Sequence, residues 1–400
     1  MMRLFIEPTE PLLFRTGRPF NAGENNFAET IFPPTPETMQ GAVRAAIATH
    51  WDRTKTIAQV FEDPELVELI GNRKGYGRFR ITSLALGRRK NSDSEDGPVE
   101  RLFPSPLYLQ KDRKKVIRFY PKPITEVRSD IPEDMWYLWP DEEAEDKLEN
   151  AGWLTERGLV RVLRDKEKPF DEEIVSNREI FEYESRLGIG MNNETKTTRE
   201  GLLYQVRMVR MKHDLDFTNR DNDFVYGFVV DISLAGTEES ACLTDSPETL
   251  LSDEQVQKQL RLPDSGWITL GGERRAAYFR VLKSVTLSAS ENVEQLKAGR
   301  AVYLSTPAAL DDGWKPLNWQ PKKWSKPLPK PIAVTIDRYQ PIGGWLLAPG
   351  TAGGENKIMR RCVPAGSVYF FNEPVAIERP FTDYGWQIGY GIAYAGEWKS

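Results

Sequence analysis

The sequence predicts an α+β fold: antiparallel sheets with helices packed on one face. Three observations carry that prediction. Strand-like runs outnumber helical ones along the 400 residues. The one strongly periodic helical segment lies between two strand-like runs. Nothing recurs at a fixed period of about 20–50 residues, which excludes a solenoid or a propeller. The 28 Pro, 30 Gly and 11 Trp add that the elements are short and the connections many.

The first strand is read at Arg3-Leu4-Phe5-Ile6-Glu7, followed by Leu12-Leu13-Phe14 with Arg15, and by a polar loop over 21–26. The clearest helix comes next. Thr35 can cap it, Pro36 suits a first helical position that needs no amide, and Glu37 complements the positive end of the dipole. Met39, Ala42, Val43, Ala46 and Ile47 then fall at i, i+3, i+4, i+7 and i+8, one apolar stripe to lay on a sheet. Gly41 costs roughly 1 kcal/mol relative to Ala, so it marks close packing. A second helix is expected from Pro64 to Ile70, a strand over 79–86 and an exposed acidic loop over 91–98. Residues 133–150 carry eight carboxylates and one lysine around Trp136, Trp139 and Pro140, and read as a solvated insertion with an aromatic docking face. Further strands are expected at 202–206, 224–232, 278–282, 332–336, 345–347 and 367–371. Between them, the Pro/Lys/Trp stretch 318–331 reads as a linker that cannot be helical. The strand–helix–strand start admits a ferredoxin-like half, and the later strands can supply a second.

Composition narrows the chemistry. With 54 Lys and Arg against 59 Asp and Glu, the net charge is -5. Such a chain does not coat nucleic acid by bulk charge; any contact must be a local basic groove or one shared with a partner. No window approaches 18 apolar residues, so no membrane span is expected. The N-terminal apolar run is too short, and too soon broken by Glu7, for a signal peptide, and a cytoplasmic protein is the expectation. Two cysteines, Cys242 and Cys362, cannot build a disulfide framework or a cysteine zinc cluster. Two histidines, His50 and His213, cannot build a multi-imidazole metal site, which leaves only a carboxylate Mg²⁺ or Ca²⁺ site open. No cofactor is expected.

Enzyme signatures are missing. There is no G-x-x-x-x-G-K-S/T, H-E-x-x-H, G-x-S-x-G or EF-hand loop. Gly188-Ile189-Gly190 and Gly389-Tyr390-Gly391 lack the spacing of a nucleotide cradle. His50 falls within the apolar stripe of the helix, so packing is the expected role, against a general acid or base for RNA cleavage. His213 is expected to be exposed, and nothing brings the two together.

Basic clusters are more informative: 14–20 with Arg15 and Arg18; 73–80 with four cations and no acid; Lys196, Arg199, Arg207 and Arg210; Gly271-Gly272-Glu273-Arg274-Arg275; and Met359-Arg360-Arg361. Planar, permanently charged arginine suits phosphate oxygens and base faces, and glycine lets backbone amides approach the same phosphates. One such cluster is usually a solvated face; five, most with a glycine and an aromatic nearby, point to RNA.

Taken in order, these segments resemble a family. Phe14-Arg15-Thr16-Gly17-Arg18-Pro19-Phe20 and the run 32–44 with Arg44 resemble the start of a Cmr RAMP subunit. That is the tag-end subunit, third in Cmr numbering, of type III-B CRISPR effector complexes. Arg186-Leu187-Gly188-Ile189, Thr195-Lys196-Thr197 and Gly201-Leu202-Leu203-Tyr204 are similar to its central block, Leu270 to Arg275 to its glycine-rich turn, and 363–371 with 389–391 to its C-terminal block. The resemblance runs from residue 5 to about 398, and is weak over 88–185. It implies two ferredoxin-like (RRM-like) RAMP halves, set here at 1–215, with an insertion near 88–185, and 216–400. It further implies no nuclease activity, binding of the 5′ tag of the CRISPR RNA, and two kinds of partner: the large polymerase/cyclase-like subunit and the backbone RAMP subunits. By the same resemblance Arg15, Arg18, Arg44, Lys196 and Arg199 lie near the tag, while Arg274, Arg275, Arg360 and Arg361 sit in or beside family segments. The rivals are a RAMP-type endoribonuclease that processes repeat RNA with His50, and a carbohydrate- or peptide-binding module using Trp314, Trp319 and Trp324.

Overall fold

Strand Met2–Pro8 has other strands hydrogen-bonded along both of its edges, and so occupies the interior of an eight-stranded sheet. In this computed structural model the residues described are 1–16, 27–72, 75–91, 97–113, 115–123, 135–192, 194–212, 224–236, 251–282, 292–347 and 354–398. The sheet order is Ile174–Val175, Trp153–Thr155, Glu100–Pro104, Phe79–Lys90, Phe224–Leu234, Met2–Pro8, Arg275–Leu282, Ser265–Leu270, and every neighbouring pair is antiparallel. The expected α+β class with antiparallel sheets is the class observed.

Helix Pro36–Trp51 forms as its sequence dictates. The Thr35 hydroxyl accepts the Thr38 N–H at 3.3 Å, and Met39, Ala42, Val43, Ala46 and Ile47 are buried. They share one apolar cluster with Leu4 and Ile6 of the sheet, Leu66 and Leu69 of helix Pro64–Ile70, and Val256 and Leu260 of helix Asp253–Leu260. Gly41, expected at a close approach, faces open space instead: a Cβ there would meet nothing within 4 Å.

Within the large sheet the chain runs strand Met2–Pro8, helix Pro36–Trp51, strands Phe79–Lys90 and Phe224–Leu234, helix Asp253–Leu260, strand Arg275–Leu282. Across the sheet those four strands lie in the order fourth, first, third, second. A second sheet, Ala333–Thr335, Val368–Ala376, Ala298–Leu304, Ala393–Gly396, repeats that order from its other side, with the single-turn helices Leu317–Trp319 and Trp386–Ile388 in the two connections. The expected boundary at 215/216 therefore needs correction. Strand Phe224–Leu234 lies beyond it yet pairs with both Met2–Pro8 and Phe79–Lys90.

The region 88–185 is likewise no detached insertion. Three of its strands extend the large sheet, and four others, Tyr137–Pro140, Val116–Lys122, Leu109–Lys111 and Glu149–Asn150, form a small one. The acidic run is tied down at both faces. The Trp136 N–H donates to the Ile332 carbonyl at 2.6 Å, and its ring stands edge-on to Trp398. Lys168 takes Asp141 at 3.0 Å and Glu142 at 2.5 Å. The stretch 318–331 is a packed cover, not a linker: Trp324 and Leu328 are buried with Phe371 and Phe381, and the Trp324 indole donates to the Pro380 carbonyl at 3.3 Å.

The two sheets meet over a shared core that includes Phe103, Leu159, Tyr303, Phe370 and Tyr394. At that seam Arg101, 2% exposed, bonds Glu156 at 2.5 Å, Glu294 at 2.9 Å and Asp231 at 3.2 Å. A guanidinium so deep is tolerated only with such pairing.

Candidate nucleic-acid interface

One end of the large sheet gathers segments that are far apart in sequence. Strands Phe181–Met191 and Thr198–Met211 form a long hairpin. At its root Leu12 and Val209 exchange backbone hydrogen bonds at 2.7 and 2.9 Å. Strand Phe27–Ala28 pairs in parallel with Gln205 and Val206, and the Thr30 hydroxyl donates to the Arg207 carbonyl at 2.5 Å. Arg15 bridges to Thr30. From the other side, the Gly272 N–H donates to the Leu13 carbonyl at 2.8 Å. Gly271 must be glycine: its φ is +74°, and a Cβ would sit 2.7 Å from that same oxygen. Backbone hydrogen bonds thus stitch together the Arg15 segment, the hairpin root and the 271–275 turn.

The side chains at this end differ in freedom. Arg15 is exposed. Arg274 is exposed too and, among the described residues, has no ion-pair partner. It follows Glu273 in the left-handed region, with φ of 50° and 59° respectively. Two consecutive non-glycine residues there cost about 1 kcal/mol each. Arg275 is committed elsewhere, ion-paired to Glu273 with its Nε buried. Arg207 stacks 3.9 Å from the Tyr183 ring centre. Arg210 and Arg186 both bond Glu184. Partial burial pushes the Glu184 carboxyl up, and the two guanidinium hydrogen bonds more than offset this, leaving it below the usual range. Lys196 lies exposed at the far end of the hairpin, its N–H donating to the Asn192 carbonyl at 2.8 Å. Arg199 belongs to strand Thr198–Met211. Arg18 and His213 lie outside the described residues. On the hairpin, Tyr183, Leu187, Ile189 and Met191 alternate onto one face beside Leu203 and are exposed, Leu187 at 74%.

Three expected residues lie in other settings. Arg44 donates to the Gly71 carbonyl at 2.9 Å, and burial lowers its pKa. Arg360 stacks 3.7 Å from the Tyr384 ring centre, while the Tyr384 hydroxyl donates to Glu37 at 2.6 Å and Lys357 reaches the same carboxylate at 2.9 Å. Arg361 lies 5.3 Å from the Tyr339 ring centre. Arg360, through Tyr384 and Glu37, thereby joins the start of the long helix to its neighbours, while Arg44 joins the middle of that helix to the end of helix Pro64–Ile70.

Against this geometry stand the comparisons. The family model of a CRISPR-associated protein (Cas_Cmr3) matches residues 4–398. The chain belongs to the Cas_Cmr3 family. This is the Cmr family of type III-B CRISPR effector complexes that the motifs resemble. Solved structures similar to the chain include the cryo-EM structure of the Type III-B Cmr-beta bound to cognate target RNA and AMPPnP, with 14% identity, 92% of this chain and 86% of that chain covered, and a TM-score of 0.43. A second, Cmr-beta bound to cognate target RNA, has 15% identity, the same coverages and a TM-score of 0.40. A third, the Cmr-beta apo state, has 10% identity, covers 71% of this chain and 98% of that chain, and has a TM-score of 0.30. No curated protein sequence matches.

In this Cas_Cmr3 member His50 is packed. Its Nδ1 lies 2.8 Å from the Ala46 carbonyl oxygen, and its ring stands edge-on to Phe279. Among the described residues no three His, Cys, Asp or Glu side chains are placed to hold a metal ion, and no helix is long and apolar enough to cross a membrane. The aromatic platform also dissolves. Trp314 and Trp319 stand edge to face at 5.5 Å, but Trp324 is buried. Sequence reasoning missed the apolar face of the hairpin, although the period-2 alternation of Tyr183, Ser185, Leu187, Ile189 and Met191 could have revealed it.

Proposed function

We propose that the chain is the non-catalytic, cytoplasmic subunit of a type III-B effector complex that holds the 5′ tag of the CRISPR RNA. On this reading it also bridges the large polymerase/cyclase-like subunit to the backbone RAMP subunits. The observation that carries the reading is the joining of the Arg15 segment, the hairpin root and the Arg274 turn by backbone hydrogen bonds. Arginines fixed on rigid backbone suit phosphate oxygens, and Arg274, without an ion-pair partner among the described residues, has no carboxylate there to lose first. Arg15 and Arg274 are the proposed phosphate contacts at this end, with Lys196 and Arg199 along the hairpin; Arg18, outside the described residues, is proposed as a contact on its sequence motif alone. Arg275, Arg360 and Arg361 are secondary, and Arg44 is assigned to packing. The exposed apolar face of the hairpin offers a surface for unstacked bases or a neighbouring subunit.

Both sheets follow the order fourth, first, third, second. This supports reading them as two ferredoxin-like units, 2–282 and 292–398, the second with single turns in place of helices. The packing of His50 supports a subunit without nuclease activity. The test is direct. Reconstituted complex should bind tag-bearing CRISPR RNA more tightly than the same RNA with its tag removed, and the chain alone should leave repeat RNA intact. Metal-independent cleavage that disappears in His50→Ala would promote the endoribonuclease instead.

A further inference from the structure

The large sheet has two unequal edges. One ends in Ile174–Val175, only two residues long; the other ends in Ser265–Leu270, six residues long. The direction of every peptide group on the longer edge follows from one bond. The Asp264 carbonyl accepts the Val281 N–H at 2.7 Å. Bonded and non-bonded pairs alternate along an antiparallel ladder. The pairs Gly266–Phe279, Ile268–Ala277 and Leu270–Arg275 share that phase, so their peptide groups turn inward. Ser265, Trp267 and Thr269 must then turn their N–H and C=O groups away from the sheet. No described residue bonds these outward backbone groups.

Isolated edges of this kind normally carry protection: charge, proline or a bulge. Ser-Gly-Trp-Ile-Thr-Leu has none, and its register is unbroken. The hairpin edge Phe181–Met191, by contrast, carries Glu182, Glu184 and Arg186 and a register shift between Ile189 and Met191. Trp267 is 63% exposed and leans edge-on against Tyr278 at 5.4 Å. Thr269 beside it is exposed as well.

We infer that Ser265–Leu270 is a docking edge, on which an extended segment of a different protein subunit adds as a further strand. The occupant is peptide and not RNA. Donors and acceptors alternate at strand spacing, as a peptide backbone requires, and the six residues hold no cation to meet phosphate. Charge sets the rest of the partner's chemistry. The added segment is uncharged through its middle, where it faces Trp267, Ile268 and Thr269. It places a basic side chain beside Asp264, which is exposed and whose carboxylate, among the described residues, is bonded only to the neutral Gln257 amide at 2.8 Å. This protein contact goes beyond the tag-binding reading and does not depend on it.

Thr269→Pro removes an outward N–H that the ladder does not use, a position where sheets accept proline. Ile268→Pro removes an inward one and serves as the unfolding control. Backbone hydrogen–deuterium exchange is measured on the full chain, alone and mixed with each purified subunit encoded by the same CRISPR locus. One of these subunits should slow the Ser265, Trp267 and Thr269 amides, and Thr269→Pro should weaken its binding about tenfold or more with melting temperature and RNA affinity retained. If no subunit slows those amides, or if Thr269→Pro binds as wild type does, the inference is overturned. Self-association abolished by Thr269→Pro would seat a second copy on the edge and overturn the assignment of a different subunit. Should Thr269→Pro fail to fold, exchange in the wild-type chain decides by the same criterion.

Discussion

Replacing Arg274 by glycine should separate RNA binding from folding. Glu273 and Arg274 hold φ of 59° and 50°, where an L side chain crowds its own backbone. Glycine at 274 removes about 1 kcal/mol of that strain and returns roughly 0.5–1 kcal/mol of entropy to the unfolded chain. Stability should therefore hold or rise by up to about 0.5 kcal/mol. RNA affinity should move the other way. Loss of one phosphate contact should cost about 1 kcal/mol, close to fivefold in Kd, and lower the salt slope by about 0.7 for a single strand. Fluorescence anisotropy of labelled CRISPR RNA with reconstituted complex at several salt concentrations reads the second quantity, and a thermal melt of the chain reads the first. Unchanged affinity and slope in Arg274→Gly would refute the phosphate role. A lower melting temperature would show that the arginine serves packing.

Arg101→Ala should cost about 3–5 kcal/mol in urea unfolding, because Asp231, Glu156 and Glu294 lose their shared guanidinium; a loss under 1 kcal/mol would contradict that. Arg44→Ala should lower stability by about 1–2 kcal/mol through the lost bond to Gly71, with the RNA salt slope unchanged. Burial pushes the Cys362 thiol up to about 12, chiefly through desolvation. In a Cys242→Ser variant it should resist a disulfide reagent at pH 8 until the chain unfolds. The sign follows: the folded state keeps its proton longer, so the stability this group contributes is complete below its ordinary value of 9.0 and falls as pH rises toward about 12. Rapid labelling of the native chain at pH 8 would contradict the burial.

What the sequence made legible was local. Thr35, Pro36 and the stripe from Met39 to Ile47 specify the long helix completely, and helix Pro64–Ile70 follows from its own punctuation. Pairing between distant strands is a different kind of information. Nothing local in Phe224–Leu234 says that it pairs with Met2–Pro8, so local signals alone place a boundary ahead of a strand that belongs to the first sheet. The candidate site divides along the same line. Arg15 and Arg274 stand out as arginines beside glycines, but only tertiary structure brings them to one hairpin root. Arg44 carries the same residue type in a similar motif, yet the Gly71 carbonyl that engages it lies in a separate turn. The stretch 318–331 misled for the converse reason. Its prolines exclude a helix, but they do not prevent Trp324 from being buried.

Crosslinking reads out whether the Arg15–Arg274 end holds the 5′ tag. A photoreactive amino acid is placed at Thr16, beside Arg15, the complex is assembled on full CRISPR RNA, and the crosslinked nucleotides are mapped by sequencing. Crosslinks should be confined to the 5′ tag and be lost when the tag is removed. Crosslinks in the spacer or at the 3′ end, or none in a complex that still binds RNA, would contradict the tag-binding reading.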